Sequence, residues 1–193
     1  MPIPSAHFDE VVFLYELDIN CSLFNRAFAS LQVAATHRIN LANSIDDGQP
    51  GSPILIVEQC TVCLSALAAI RRILAPASTK PRIQERASRM RSLLDEPPLT
   101  HVTTVAVRNS WEHIDERLDA VLSERAKHKG PVEQISVSPS APDPDTFVLR
   151  RFDPVTFTIQ FAGEATPLLA CVEEITELKS RIAKAYLKLN RGT

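Results

Sequence analysis

Val155-Thr156-Phe157-Thr158-Ile159-Gln160-Phe161 is where the apolar pattern of the chain changes period. Val155, Phe157, Ile159 and Phe161 alternate with Thr156, Thr158 and Gln160, the two-residue repeat of a half-buried strand. Phe147 to Phe152 is a natural partner across Asp153-Pro154, and Glu133 to Val137 is a candidate third strand. Ser138-Pro139-Ser140-Ala141-Pro142-Asp143-Pro144-Asp145 reads as a mobile loop by composition. Outside this segment the apolar residues recur at three- and four-residue steps. The segment therefore reads as a small β-hairpin, about residues 133–162, inserted before the last helix of an all-α protein.

Working outward from the strand, Thr166-Pro167 is the start signal of the last helix, with proline at its first turn. Leu168, Val172, Ile175, Leu178, Ile182, Tyr186 and Leu189 form its buried stripe. Lys179, Arg181, Lys184, Lys188 and Arg191 load its second half, which suits the negative end of the helix dipole. On the other side, Gly130-Pro131 ends a helix that runs from Leu99, after Pro97-Pro98, to about His128. A short basic helix precedes it, Pro81 to about Asp95, with Lys80, Arg82, Arg86, Arg89 and Arg91 against Glu85. Arg82, Arg86 and Arg89 share one face, either a solvated surface or a track for a phosphate backbone.

Further back, Ser52-Pro53 opens a helix to about Leu74, before Pro76. It is apolar nearly all round until Arg71-Arg72, as suits the centre of a bundle. Asp46-Asp47-Gly48-Gln49-Pro50-Gly51 is a stop. From His7 to about Asp46 the chain is helical in period, as one long helix or as two with a break near Asn25. Its apolar face reads as Phe8, Val11, Val12, Tyr15, Ile19, Leu23, Phe24, Phe28 and Leu31. The sum is a single domain over residues 1–193, a four- or five-helix up-and-down bundle carrying the small hairpin.

Composition excludes several classes. With 193 residues, 45% of them hydrophobic and 23% charged, the chain has enough apolar material for one core. Its net charge of −2 rules out a basic nucleic-acid binder as a whole, so any such contact must come from a local patch. Met1 to Ala6 lack a basic leader region, and Asp9, Glu10, Glu16 and Asp18 interrupt the apolar residues behind them. Ile54 to Ile70 contains Glu58 and Gln59 and is short of the roughly 20 residues a membrane span needs. A buried helix, no membrane contact and a cytoplasmic location are the expectation. Cys60-Thr61-Val62-Cys63 has a C-x-x-C spacing, but Cys21 and Cys171 do not form a second pair for a zinc site. Mid-helix among Ile, Leu and Val, the pair reads as small core residues.

One helix carries chemistry on its polar side. In Val107-Arg108-Asn109-Ser110-Trp111-Glu112-His113-Ile114-Asp115-Glu116-Arg117-Leu118-Asp119, an apolar stripe runs through Val107, Trp111, Ile114 and Leu118 to Val121 and Leu122. At about 100° per residue, Asn109, Glu112 and Glu116 lie opposite the stripe and Arg108 and His113 flank them. A guanidinium, an amide, a carboxylate and an imidazole within two turns can bind an anion and move a proton. The bland reading is a salt bridge from Arg108 to Glu112 and an exposed His113.

Arg108-Asn109-Ser110-Trp111-Glu112-His113 resembles the signature of the HEPN superfamily, helical bundles of prokaryotic defence and toxin systems: Arg, a polar residue, a short spacer, then His on a late helix. The hairpin would be an elaboration of the minimal HEPN bundle. The resemblance implies a homodimer whose two motif helices face each other, cleaving RNA without metal or cofactor and leaving 2′,3′-cyclic phosphate ends. An imidazole ordinarily titrates at about pH 6.5, so His113 suits acid–base work, and Arg108 suits bidentate binding of phosphate. Asn109 is placed to orient His113 one turn on, and Glu112 to support Arg108 or the imidazole. Arg82, Arg86 and Arg89 are candidate RNA contacts. The partners implied are a second copy, RNA, and an antitoxin or regulatory protein. The alternative is a catalytically inactive HEPN-like module that binds a nucleotide, RNA or a protein.

Overall fold

The structure, a computed structural model, describes residues 8–42, 52–103, 119, 122–123, 130–161 and 164–191. Their elements in chain order are α1 (Phe8–Ala42), α2 (Pro53–Leu74), α3 (Pro81–Leu93), α4 (Thr100–Thr103), β1 (Val132–Val137), β2 (Phe147–Asp153), β3 (Thr158–Phe161), β4 (Glu164–Pro167) and α5 (Leu168–Arg191).

α1 is one unbroken helix of 35 residues, not two. Polar side chains that tend to interrupt helices turn back onto it instead. Asn20 Nδ2 donates to the Glu16 carbonyl at 2.7 Å and Thr36 Oγ1 to the Gln32 carbonyl at 2.9 Å. Its buried seam is Leu14, Leu17, Cys21, Phe24, Phe28, Leu31 and Ala35, a repeat of alternating three- and four-residue steps. The expected face is right from Phe24 onward and rotated before it: Tyr15 is 61% exposed, Leu17 0%. The first half of α1 is apolar on both sides, so periodicity alone leaves two stripes open and packing selects the one beginning at Leu14.

α2 begins at Pro53 behind Ser52, which has the extended N-cap backbone but makes no side-chain cap bond; the proline sets the helical φ. It is the one helix among the described residues long and apolar enough to cross a membrane. In this fold Ile56, Cys60, Cys63, Leu64, Leu67, Ile70 and Leu74 are buried in the core. Cys63 Sγ lies 4.0 Å from the Phe24 carbonyl, where α2 meets α1. α5 runs antiparallel to α1: Lys179 reaches Ser22 (2.9 Å) and Asp18 (3.6 Å), and Tyr186, further along α5, feels the charge of Asp18 and of Tyr15, further back on α1.

The expectation of an all-α bundle with a small hairpin is overturned. The four strands form one mixed sheet in the order β1-β2-β3-β4, so the fold is a mixed α and β arrangement. β2 and β3 pair antiparallel as read from the sequence, and β3 alternates buried Ile159 and Phe161 with half-buried Thr158 and Gln160. β1 pairs with β2 in parallel, from Val132 opposite Phe147 to Val137 opposite Phe152. Residues 138–146 make the return without a helix. At ~3.1 Å per residue of extended, proline-rich chain they reach roughly 28 Å, more than the ~20 Å that β1 covers. That loop is also held down. Arg151 Nη2 donates to the Ser140 carbonyl at 3.1 Å, and Asp145 N to Asp143 Oδ1 at 2.8 Å.

The fourth strand occupies the residues that read as a helix start. Thr166 pairs with Ile159 and Pro167 with Thr158. β4 is an edge strand, where a proline lacking its N–H is tolerated, so Thr166-Pro167 ends a strand and Leu168 opens α5. The predicted strand over 155–161 is shorter as well. Val155 and Thr156 lie in a turn whose N–H groups donate to Asp153 Oδ1 at 2.9 and 3.2 Å. Phe157 closes the turn at φ 51°, a left-handed conformation rare for a bulky residue. Its ring packs on Phe28 (5.3 Å) and Phe152 (5.9 Å), and its carbonyl accepts the Leu168 N–H at 3.0 Å.

Val137, Phe152, Ile159 and Phe161 belong to the same buried cluster as Leu17, Phe24, Leu67 and Leu178. The sheet is therefore a layer on the helical core. Each such side chain fully buried contributes about 1.5–3 kcal/mol. The selected seam has a direct test. Leu17→Ala should lower unfolding free energy by about 3 kcal/mol, as large-to-small core changes do, and Tyr15→Ala by less than about 1 kcal/mol, in denaturant titrations. Equal losses would place the seam elsewhere.

Candidate functional site

Arg108, Asn109, Glu112 and His113 lie outside the described residues, as does the stop at 46–51. The chain leading to them is pinned in place. Thr100–Thr103 is the described part of α4, and Glu174 of α5 holds its start: Oε1 accepts the His101 N–H at 2.8 Å and Oε2 the Val102 N–H at 2.9 Å. The same Oε1 lies 2.8 Å from His101 Nδ1. A carboxylate receiving orphan N–H groups at a helix start is stabilising through both hydrogen bonding and the helix dipole. Val102 is fully buried and anchors the turn from inside. Further along, Asp119, Leu122 and Ser123 are helical, and Ser123 Oγ donates to the Asp119 carbonyl at 2.8 Å.

The three arginines of α3 are brought together. Arg82, Arg86 and Arg89 line one pocket of about 400 Å³, with Lys80 and Asp9 also in its wall. They do not do the same thing. Arg86 is half-buried and tied down: Nη2 donates to the Arg72 carbonyl at 2.9 Å, and Cζ sits 4.8 Å over the Phe13 ring. Such a stacked guanidinium contributes about 0.5–2 kcal/mol. Its Nε is buried without a partner among the described residues. Arg89 is exposed and 3.9 Å from Glu10, and Arg82 is exposed. The even track expected from helical spacing is thus two outward cations flanking one structural one.

A second pocket of about 460 Å³ adjoins the first and shares Ile83 and Arg86 with it. Its far wall is Arg71 and Arg72 of α2. In the sequence those two read only as the polar end of an apolar helix. The signal that could have found them is density: Arg71 to Arg91 holds seven Arg or Lys residues and only Glu85 as an acid. A third pocket, about 520 Å³, lies between Arg38 near the end of α1 and the 138–142 loop.

Cys60 and Cys63 are free, buried core residues, as are Cys21 and Cys171. Burial pushes the thiols of Cys21, Cys63 and Cys171 up to about 12 and that of Cys60 well above 9.0. They are poor nucleophiles and poor ligands in this state. Among the described residues no group of three or more His, Cys, Asp or Glu side chains is placed to hold a metal ion.

No family model matches the chain, and no curated protein or solved structure matches it.

The thiols give a pH prediction. A thiol with a pKa of about 12 is ionised in only about one molecule in ten thousand at pH 8. Folded protein should therefore not react with a disulfide reagent at pH 8, whereas denatured protein should react at all four cysteines. Because the folded values lie above the unfolded ones, this contribution to stability is fully present below about pH 9 and lost as pH rises toward 12. Rapid labelling of native protein would mean that a thiol is accessible.

Proposed function

We propose that the protein is a metal-independent endoribonuclease of the HEPN type, acting as a cytoplasmic homodimer in a toxin or antiphage-defence role. The observation that carries this reading is the string Arg108-Asn109-Ser110-Trp111-Glu112-His113, with its Arg, its following Asn and its His at the spacing of that superfamily. The helices α1, α2 and α5 form a helical core, and the four-stranded sheet departs from a minimal HEPN bundle. Arg82, Arg86 and Arg89 round one pocket add a place for RNA phosphates.

The chemistry needs no metal. RNA carries its own nucleophile, the 2′-OH. A base takes that proton, the oxygen attacks the adjacent phosphorus, and the 5′-oxygen leaves with a proton from an acid, giving a 2′,3′-cyclic phosphate. His113 from each of two protomers fills the base and acid roles, a contribution of about 10²–10⁴ in rate per group. Arg108 binds the phosphate through its planar fork and offsets the charge that gathers there. Asn109 holds the imidazole, and Glu112 holds Arg108 in place. One chain has one such motif, so pairing about a two-fold axis supplies the second. An antitoxin or regulatory partner would act by preventing that pairing or by covering the site.

A second reading is favoured by the pocket on α3, which needs no catalytic histidine: a nuclease-inactive module that binds RNA or a nucleotide. One assay separates the two. Purified protein should cut single-stranded RNA in EDTA and leave cyclic phosphate ends. His113→Ala should slow cutting at least 10²-fold without lowering the melting temperature. RNA bound but not cut would favour the binding module. Equal cutting by His113→Ala would remove His113 from the chemistry.

A further inference from the structure

A chain of net charge −2 concentrates six cations at one corner. α2 ends at Leu74, residues 75–80 turn, and α3 begins at Pro81. Arg71 and Arg72 line the pocket on the α2 side; Lys80, Arg82 and Arg89 line the one on the α3 side; Arg86 lines both. Among the described residues, acidic groups at these pockets are few. Asp9 lines the pocket on the α3 side, and Glu10 lies 3.9 Å from Arg89.

The end of a helix would normally make such a corner hostile to anions, because its last carbonyls point outward. Here three of the last four carbonyls of α2 are occupied. Arg71 O accepts Ala75 N at 2.7 Å, Arg72 O accepts Arg86 Nη2 at 2.9 Å, and Leu74 O accepts Arg91 Nη1 at 2.5 Å. Gln84 Nε2 covers the turn, donating to Pro76 O at 3.2 Å and Ser78 O at 2.6 Å. With these acceptors occupied, the cleft presents positive charge, and the start of α3 adds the positive end of its dipole.

We propose that the α2–α3 corner is a binding cleft for adjacent phosphate groups, one in each lobe, with Arg86 as the fixed cation between them. The lobes share that residue and Ile83, so the two adjoin and suit a ligand whose phosphates are consecutive. Diphosphate chemistry of this kind is offered by a free nucleoside polyphosphate and by successive phosphodiesters of a nucleic acid. The cleft involves neither Arg108 nor His113, so binding here and cleavage there fail independently.

The test measures binding of tripolyphosphate, ATP and a short single-stranded RNA to the full chain at low salt, alone and in competition. The comparison is the variant Lys80→Glu/Arg82→Glu, two exposed positions, with melting temperature as the control for folding. Binding should weaken at least about tenfold in the variant and fall as salt rises, with the melting temperature unchanged. Mutual competition assigns the cleft to phosphate of either source. RNA that neither small ligand displaces, yet that the variant loses, assigns it to the nucleic-acid backbone. Small ligands without RNA assign it to a free polyphosphate. No binding by wild type, or binding by the variant equal to wild type, overturns the proposal. Binding of tripolyphosphate, which offers no scissile RNA bond, keeps this result separate from that of the cleavage assay.

Discussion

Guanidinium groups close the C-terminal ends of α2 and α3, and the arrangement of α2, α3 and α5 depends on that. The chain has five glycines, and none follows α2 or α3. The usual left-handed glycine cap is therefore missing at both ends. Arg86 and Arg91 reach back from α3 to the Arg72 and Leu74 carbonyls. Arg181 of α5 donates to the carbonyls of Leu94 (3.1 Å) and Asp95 (2.6 Å). Without them those carbonyls would cost about 1–3 kcal/mol each where they are buried. The end of α3 carries further strain, because Asp95 and Glu96 both have positive φ, 56° and 49°, with side chains glycine would lack. Lys188 compensates: its hydrogen bond and its charge hold the Asp95 carboxyl below the ordinary range.

The helices are legible in the sequence because their punctuation is local. Ser52-Pro53 and Pro76 bracket α2, and Lys80-Pro81 starts α3 where expected. The sheet is half legible. Asp153-Pro154 marks the β2–β3 turn because an aspartate beside a proline makes that turn on its own. The parallel pairing of β1 cannot be read the same way. It depends on a loop bridging two strand ends, and Ser, Pro and Asp mark a loop without saying where it goes. Thr166-Pro167 misleads for a related reason: the pair suits the end of an edge strand as well as a helix start. Only the partner across the ladder decides between them.

The candidate sites divide along the same line. Arg108, Asn109 and His113 are a pattern of residue types, visible in the sequence as such, and the reading that rests on them is chemical. The α2–α3 corner is a juxtaposition. Arg82 and Arg89 can be found from helical spacing, but Arg71 and Arg72 belong to it only because the chain reverses at Pro76. Arg86 shows why spacing alone overcounts. Its place over Phe13 and under Arg72 comes from α1 and α2, which the α3 sequence does not contain.

α5 is the last of these elements along the chain, and it meets α1, the end of α3, α4 and the turn before β3. Glu174 holds the start of α4, Lys179 meets α1, Arg181 and Lys188 meet the end of α3, and Leu168 takes the carbonyl of Phe157. A chain without α5 loses the side chains that hold the ends of α3 and α4 and the apolar stripe that packs into the shared core. The groups so joined lie far apart in sequence, Lys179 and Ser22 being 157 residues apart, so these contacts close late in folding and apolar surface stays open to chaperones until they do.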